Sequence, residues 1–335
     1  MRRYLQAGDA AIVAQHQAAL VLDYARSREL DQAGLLRDTG LADHQLPAPG
    51  KLISAQQYVR LLSNVAAAGA AADTSFMLGQ QMLPGHYGNH SQALQHATSL
   101  RHALDLLQQL AQALCPLLSP RWRQEGKLVV LYWVDSFGAG RMHGFLVEMH
   151  MAAMVGMCRW LSGVRLPWTF CFNRTAPRYS EQHQVHLGSD LRFNCQLDAM
   201  LLDARWLDQA WPRGNAMAAV ALQQCDAAPA VGILAALYDY LLQQIRLAPT
   251  LEQTARDFGV SPATLKRHLA GHGSHFQAEL DKVRTHVALH LFHTEGFDNE
   301  AVANYLGFHD ANNFRRSFKR WTGMTPMLLR QGLLA

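Results

Sequence analysis

The chain has 335 residues, 49% of them hydrophobic and 17% charged, a balance that excludes a disordered polymer and leaves room for two or three domains. Its formal net charge is only +4, too little to point to a polyanionic partner without local clustering. No apolar run opens the chain and none reaches the length of a membrane span, so a soluble, cytoplasmic protein with no membrane partner is expected.

The chain starts as helix. "AAIVAQHQAALVLDYARSR" and "SAQQYVRLLSNVAAAGA" are Ala-rich and amphipathic, with Ser54 capping the second. "DTSFMLGQQML" and "SLRHALDLLQQLAQAL" extend the pattern, with Asp73 and Ser99 in cap positions. The character changes at "KLVVLYWV", Lys127 to Val134, whose β-branched and aromatic residues predict a strand. A long helix over about Arg141 to Leu161 follows, then strands at Trp168 to Asn173 and Leu191 to Leu197. Residues 1–210 thus predict an α+β domain, a helical half followed by a small sheet with a helix packed on it. The five cysteines (Cys115, Cys158, Cys171, Cys195, Cys225) form no C-x-x-C pair and are expected to be reduced, most of them small core residues.

Next, Val231, Leu234, Tyr238, Leu241 and Ile245 are spaced by threes and fours, a narrow heptad-like seam. It fits a helix packed on its own domain, or a dimer or interdomain helix. Pro249 ends it, so residues 211–248 read as a helical linker and a boundary is expected near Leu247 to Pro249.

The last 85 or so residues carry the densest signals. In "PTLEQTARDFGVSPATLKRHL", Thr250 and Gln253 have capping-box spacing, and Gly259 stops the helix in left-handed backbone. Ser261 caps the next helix, with Pro262 in its first turn. Leu265 and Leu269 face inward, while Ala263, Lys266 and Arg267 face out. The same grammar returns at "FDNEAVANYLGFHDANNFRRSFKRW". Asp298 caps, Phe297 and Val302 have staple spacing, Gly307 turns the chain and Asp310 caps again. Phe314, Phe318 and Trp321 fall on one face, with Ala311, Asn312, Arg315, Arg316 and Lys319 on the other. Between the units, "FQAELDKVRTHVALHLFHT" reads as one linking helix with Leu280, Val283, Val287 and Leu291 inward. Charge follows this division: from Arg246 onward 11 Lys and Arg face 8 Asp and Glu, a net of +3, against +1 for the preceding residues. One charged helix alone would read as a solvated face. Two units with matching caps, glycine turns and basic outer faces read as a pair of helix-turn-helix motifs.

The stretch from Pro249 to Gln331 resembles the AraC/XylS-type DNA-binding domain throughout, and "YLGFHDANNFRRSFKRWTGMTP" is close to that family's signature. The resemblance implies an all-α C-terminal domain (249–335) of seven helices with two helix-turn-helix units, in a transcription regulator rather than an enzyme. Carried over position by position, it puts the groove-reading residues at Ala263, Lys266 and Arg267, and at Ala311, Asn312, Arg315 and Arg316. Lys319 and Arg320, one turn on, are expected at phosphates. Ala263 stands where some members carry a large side chain, which leaves the first unit's reading to Lys266 and Arg267.

More diffusely, "PGHYGNHSQALQHATSLRHALDLL", "FLVEMHMAAMVGMCRWLSG" and "LGSDLRFNCQ" resemble the arabinose-binding-like N-terminal domain of one AraC subgroup, which implies an α+β sensor or dimerisation domain. No G-x-S-x-G, phosphate loop or H-E-x-x-H is present. His86 and His90 are four apart, but Gly85 and Gly88 favour a loop and no third ligand is evident, so no metal or cofactor is expected. Candidate effector contacts are Trp133, Arg141, His143, Phe145, Met149 and Trp168, with His150 and Arg159 as further anchors for an acid. The expected partners are promoter DNA, a second copy of the chain, RNA polymerase and a small-molecule effector. Apolar walls and cationic anchors point to an apolar carboxylate, such as a fatty or aromatic acid; the resemblance adds an amino acid as the alternative. A regulator whose N-terminal domain serves only dimerisation or protein contact is the competing reading.

Overall fold

The computed structural model describes residues 4–42, 46, 48–69, 72–223 and 230–327. They divide into two compact units, one spanning Tyr4–Gly232 and the other beginning at Ile233. The division falls inside the stretch read as linker.

In chain order the first unit carries β1 (Tyr4–Leu5), β2 (Ala10–Val13), α1 (Ala14–Ser27), α2 (Gln32–Leu35), β3 (Leu52–Ser54), α3 (Ala55–Ala68), α4 (Thr74–Met82), α5 (Asn89–Gln95), α6 (Leu100–Gln109) and α7 (Ala111–Leu114). Its second half carries β4 (Leu118–Glu125), β5 (Leu128–Asp135), a 3-10 turn at Gly140–Met142, α8 (His143–Ser162), β6 (Thr169–Cys171), α9 (Glu181–His186), β7 (Leu191–Arg192), β8 (Ala199–Asp203), α10 (Ala216–Gln223) and β9 (Val231–Gly232). A five-stranded sheet has the order β4-β5-β8-β6-β7, antiparallel except for the β6–β7 pair. β2 and β3 form an antiparallel pair, and β1 and β9 a parallel one.

The α+β class expected for this unit is what is found, with local departures. Ala10–Val13 opens as strand rather than helix, because Ile12 and Val13 pair with Ile53 and Leu52. Ser54 completes a capping box with Gln57, whereas Asp73 makes no side-chain cap bond. The helix after Ser99 breaks at Leu110. The expected strand Leu191–Leu197 shortens to two residues. Strand β4 was hidden in the sequence by Pro120, Arg121 and Arg123, and it lies at the sheet edge, where a missing N–H costs least. β5 is central, and Val129 to Val134 are all buried, which explains its unbroken apolar run. One core spans the unit, joining Val129, Leu131 and Trp133 to Met149, Met154 and Met157 of α8.

The second unit is all-α: α11 (Ile233–Gln244), α12 (Leu251–Asp257), α13 (Pro262–Gly271), α14 (Phe276–His293), α15 (Asn299–Tyr305) and α16 (Ala311–Thr322). α11 packs on α14, and the Tyr238 hydroxyl meets His286 Nδ1 at 2.8 Å. Leu234, Tyr238, Leu241 and Ile245 of the seam are buried, while Val231 lies in β9 instead. Residues 328–335, the end of the expected DNA-binding domain, and Cys225 lie outside the described residues.

Candidate nucleic-acid interface and effector cavity

The first helix-turn-helix is α12 and α13. Thr250 Oγ1 accepts from Gln253 N at 3.2 Å, but the box is not reciprocal: the Gln253 amide donates to Asp257 at 3.0 and 3.1 Å. Ser261 Oγ accepts from Thr264 N at 3.1 Å, with Pro262 opening α13. In the second unit Asp298 caps α15 through Ala301 N at 2.8 Å, and Asp310 caps α16 through Asn313 N at 2.7 Å. Gly259 and Gly307 hold φ of 68° and 73° at the two turns, a region costly for a residue with a Cβ. α14 between the units buries Leu280, Val283, Val287 and Leu291.

These elements fix which faces are free. Leu265 and Leu269 are buried under α13, so Ala263, Lys266 and Arg267 are exposed. Phe314 and Phe318 anchor α16 in an aromatic cluster, with Phe292 5.9 Å from Phe318 and Phe308 5.7 Å from Phe314 between ring centroids. Trp321 is half-buried on the same face, 5.8 Å from Phe308. Asn312, Arg315, Arg316, Lys319 and Arg320 are exposed, and Ala311 is half-buried. The structure therefore gathers the expected contacts onto two helix faces, one per unit.

Two features escaped the sequence reading. Arg316 donates to Asn313 Oδ1 at 2.9 Å, and Asn313 Nδ2 donates to Asp310 Oδ2 at 2.8 Å, so the cap residue steers an arginine two turns along. The signal was present as Asn three residues after a capping Asp and three before an Arg. Arg320 reaches 4.0 Å from Asp281 of α14, where Arg284 also lies, stacked 5.2 Å from the Phe308 ring. Burial lowers the Arg284 pKa, against the Asp281 charge and with the Arg320 charge.

In the first unit the expected effector residues separate. Trp133, Met149 and Trp168 are buried in the core, and Phe145 packs against it. The Met and aromatic stripe of α8 is thus packing, because the helix is enclosed on most of its circumference. His143 sits 3.1 Å from Asp198 and 3.9 Å from Asp135. His150 is buried with Nδ1 2.7 Å from the Leu146 carbonyl, and burial pushes its imidazole down to about 4, too low for a cationic anchor at neutral pH. Arg159 is exposed on α8.

Arg141 alone of the six lines a cavity of about 340 Å³. The cavity lies between α3 and the segment from Asp135 to Met142. Val59, Leu117, Phe137 and Met142 give it apolar walls, with Gln56, Arg60 and Ser63 on the α3 side. Asp135 Oδ1 accepts from Phe137 N and Gly138 N at 3.0 and 2.7 Å, and Oδ2 from Ala139 N at 2.7 Å, which shapes the loop.

The cysteines also differ. Burial pushes the Cys115 and Cys158 thiols up to about 12. Cys171 and Cys195 share a thiol hydrogen bond, which holds Cys195, the half-buried partner, below the usual thiol range. Among the described residues no group of three His, Cys, Asp or Glu is placed to hold a metal, and no helix is long and apolar enough to cross a membrane.

An α+β unit followed by an all-α unit with two capped, basic-faced helix-turn-helix motifs is the build of a DNA-binding regulator. Family comparison agrees. Residues 30–211 match the arabinose-binding domain of AraC transcription regulator, N-terminal, and residues 254–332 match a helix-turn-helix domain, so the chain belongs to the AraC family of transcription regulators, which are not enzymes. It is 31% identical over 204 residues to the ornithine utilization regulator of Pseudomonas aeruginosa, covering 58% of this chain and 59% of that protein. It is 35% identical over 95 residues to an uncharacterized HTH-type transcriptional regulator of Mycobacterium bovis, 28% of each chain. The chain thus spans less than two thirds of the length of both relatives. Among solved structures, the transcriptional regulator CdpR from Pseudomonas aeruginosa aligns over 94% of this chain and 97% of its own, with a TM-score of 0.47 and 18% identity.

Proposed function

We propose that the protein is a sequence-specific DNA-binding transcription factor that responds to a small molecule. The observation that supports this most directly is the pair of basic faces, exposed Ala263, Lys266 and Arg267 on α13 and exposed Asn312, Arg315 and Arg316 beside half-buried Ala311 on α16, each behind a side-chain cap and a glycine turn. In this reading α13 and α16 enter successive major grooves, about one helical turn or roughly 34 Å apart. Arg315 and Arg316 suit guanine O6 and N7, and Asn312 suits adenine N6 and N7. Lys319 and Arg320 lie at the phosphates, with Arg320 partly held by Asp281. The protein works in the cytoplasm as a homodimer, two copies filling one promoter site, and acts on RNA polymerase bound nearby.

The effector is an apolar carboxylate or an amino acid. The name of the Pseudomonas relative favours the amino acid; the apolar cavity walls favour the carboxylate. Quantitative footprinting on genomic fragments, at several salt concentrations and with each candidate effector, tests the reading. The expected result is a small set of protected sites, steep dependence on protein concentration, and affinity that shifts with one effector class. Affinity unmoved by every effector would leave a regulator whose N-terminal unit serves only dimerisation or protein contact. Uniform protection of all fragments would refute sequence-specific binding.

A further inference from the structure

We infer that the cavity between α3 and the Asp135–Met142 segment is a binding site for a small apolar monocarboxylate, held at its charged end by Arg141. This rests on the reading of the first unit as an effector domain, and it names the site and the ligand class.

The volume sets the size. A cavity of about 340 Å³ lies at the small end of ligand sites, and at roughly 30 Å³ per water-sized group it holds about a dozen heavy atoms. The walls set the polarity. Val59, Leu117, Phe137 and Met142 offer hydrocarbon and ring surface. Gln56 and Ser63 are the uncharged polar side chains of the lining, and Arg60 and Asp135 are already engaged, so most hydroxyls of a sugar would lose water for few replacement partners.

The charges set the sign. Arg141 has no ion pair or hydrogen bond among the described residues and lies in the 3-10 turn just before α8, on the cavity wall. Arg60, also on the wall, is committed to Asp38 at 3.2 Å. Among the described residues the one carboxylate lining the cavity, Asp135, already accepts three backbone N–H bonds, at 3.0, 2.7 and 2.7 Å. An ammonium group entering here would find no uncommitted anion, whereas a carboxylate would find an uncommitted guanidinium suited to two parallel hydrogen bonds. That asymmetry selects an anion with an apolar tail over a zwitterion.

The mechanism of response follows from the same contacts. Asp135 ends a central strand of the sheet, and its neighbour Ser136 sits against Gly232 at the end of β9. A ligand that fixes the loop from Phe137 to Arg141 therefore also fixes the strand end that leads to the last residue of the unit.

The test is calorimetric titration of the full-length protein and of Arg141→Gln with butanoate, octanoate, hexadecanoate, 1-octanol, L-lysine and L-arabinose. Arg141 is exposed and has no partner among the described residues, so the substitution leaves the fold intact. Octanoate is expected to bind more tightly than butanoate by roughly fourfold per added methylene, and hexadecanoate to gain nothing further. Arg141→Gln is expected to weaken octanoate by about tenfold or more while leaving 1-octanol unchanged. The inference is overturned if no acid binds, if octanoate binds Arg141→Gln as tightly as the parent, or if L-lysine or L-arabinose displaces octanoate. A parallel DNA titration separates this from the effector reading. Octanoate bound through Arg141 without change in DNA affinity upholds the site and refutes effector control. DNA affinity shifted by another compound, and unaltered in Arg141→Gln, upholds effector control and refutes the site.

Discussion

Asn313 offers a sharp test of how α16 would read DNA, because its contribution is one of position rather than contact. Its amide links the cap residue Asp310 (2.8 Å) to the Arg316 guanidinium (2.9 Å) on an otherwise exposed helix face. A free arginine must be ordered on binding, which costs about 0.5–1.5 kcal/mol for a side chain with many rotamers. Asn313→Ala removes the tether, so the loss on the preferred site should fall in that range, roughly 2- to 12-fold in Kd. Helix stability should change little, because Asp310 keeps its bond to the Asn313 backbone N–H at 2.7 Å. Arg316→Ala should cost more, about 1–3 kcal/mol, and relax preference at one or two base pairs.

The assay is a double-mutant cycle by fluorescence anisotropy on the preferred site and on a scrambled duplex. If Asn313 acts through Arg316, its substitution costs almost nothing once Arg316 is alanine, and the coupling equals the single loss. On scrambled DNA neither change should matter much. Additive losses, or equal losses on both duplexes, would refute the positioning argument and recast Asn313 as a direct contact or Arg316 as a phosphate anchor.

Four further outcomes are expected. Lys319→Ala should weaken all duplexes alike and flatten the dependence of log K on log salt by about one unit. Phe318→Ala should destabilise the second unit by about 3–5 kcal/mol, read from urea unfolding, since Phe318 is fully buried among Phe292, Phe314 and Trp321. His150 has its pKa depressed to about 4, so the unfolded chain binds the extra proton between its ordinary value and 4. Stability should therefore fall by about 2 kcal/mol from pH 7.5 to 5 on this account, and a His150→Leu variant should lack that part of the slope in urea titrations at several pH values. In a Cys225→Ser background, Cys195 should react first with a thiol reagent at neutral pH, while Cys115 and Cys158 react only on unfolding.

What the sequence made legible follows from how far apart the deciding residues lie. The helix-turn-helix units are written in local code: Ser261 and Asp310 cap helices within three residues, and Gly259 and Gly307 set turns by their own φ. Each element there is decided within a few residues, so spacing alone revealed both exposed faces. In the first unit, Ala10–Val13 became strand through a partner forty residues away, and β4 through pairing that outweighs its Pro and Arg content. Its Met and aromatic stripe gave no clue to whether it lined a cavity or filled a core, since both demand the same residues.

The same contrast bears on how the two units should tolerate change. The proposed reading faces depend on a few side chains above a fixed core, Leu265 and Leu269 under one and Phe314 and Phe318 under the other, so Ala263, Lys266, Arg315 or Arg316 can vary without cost to the fold. The cavity has no such separation. Leu117 and Phe137 belong to the continuous core as well as to the walls, and Asp135 shapes the loop while forming part of the lining. Substituting any of these changes packing and recognition together, whereas Arg141 and Gln56 stand exposed at the rim. Under the proposed binding role, new ligand preferences should therefore arise first at those two positions and at Val59, where side-chain identity can change before the core must be rebuilt.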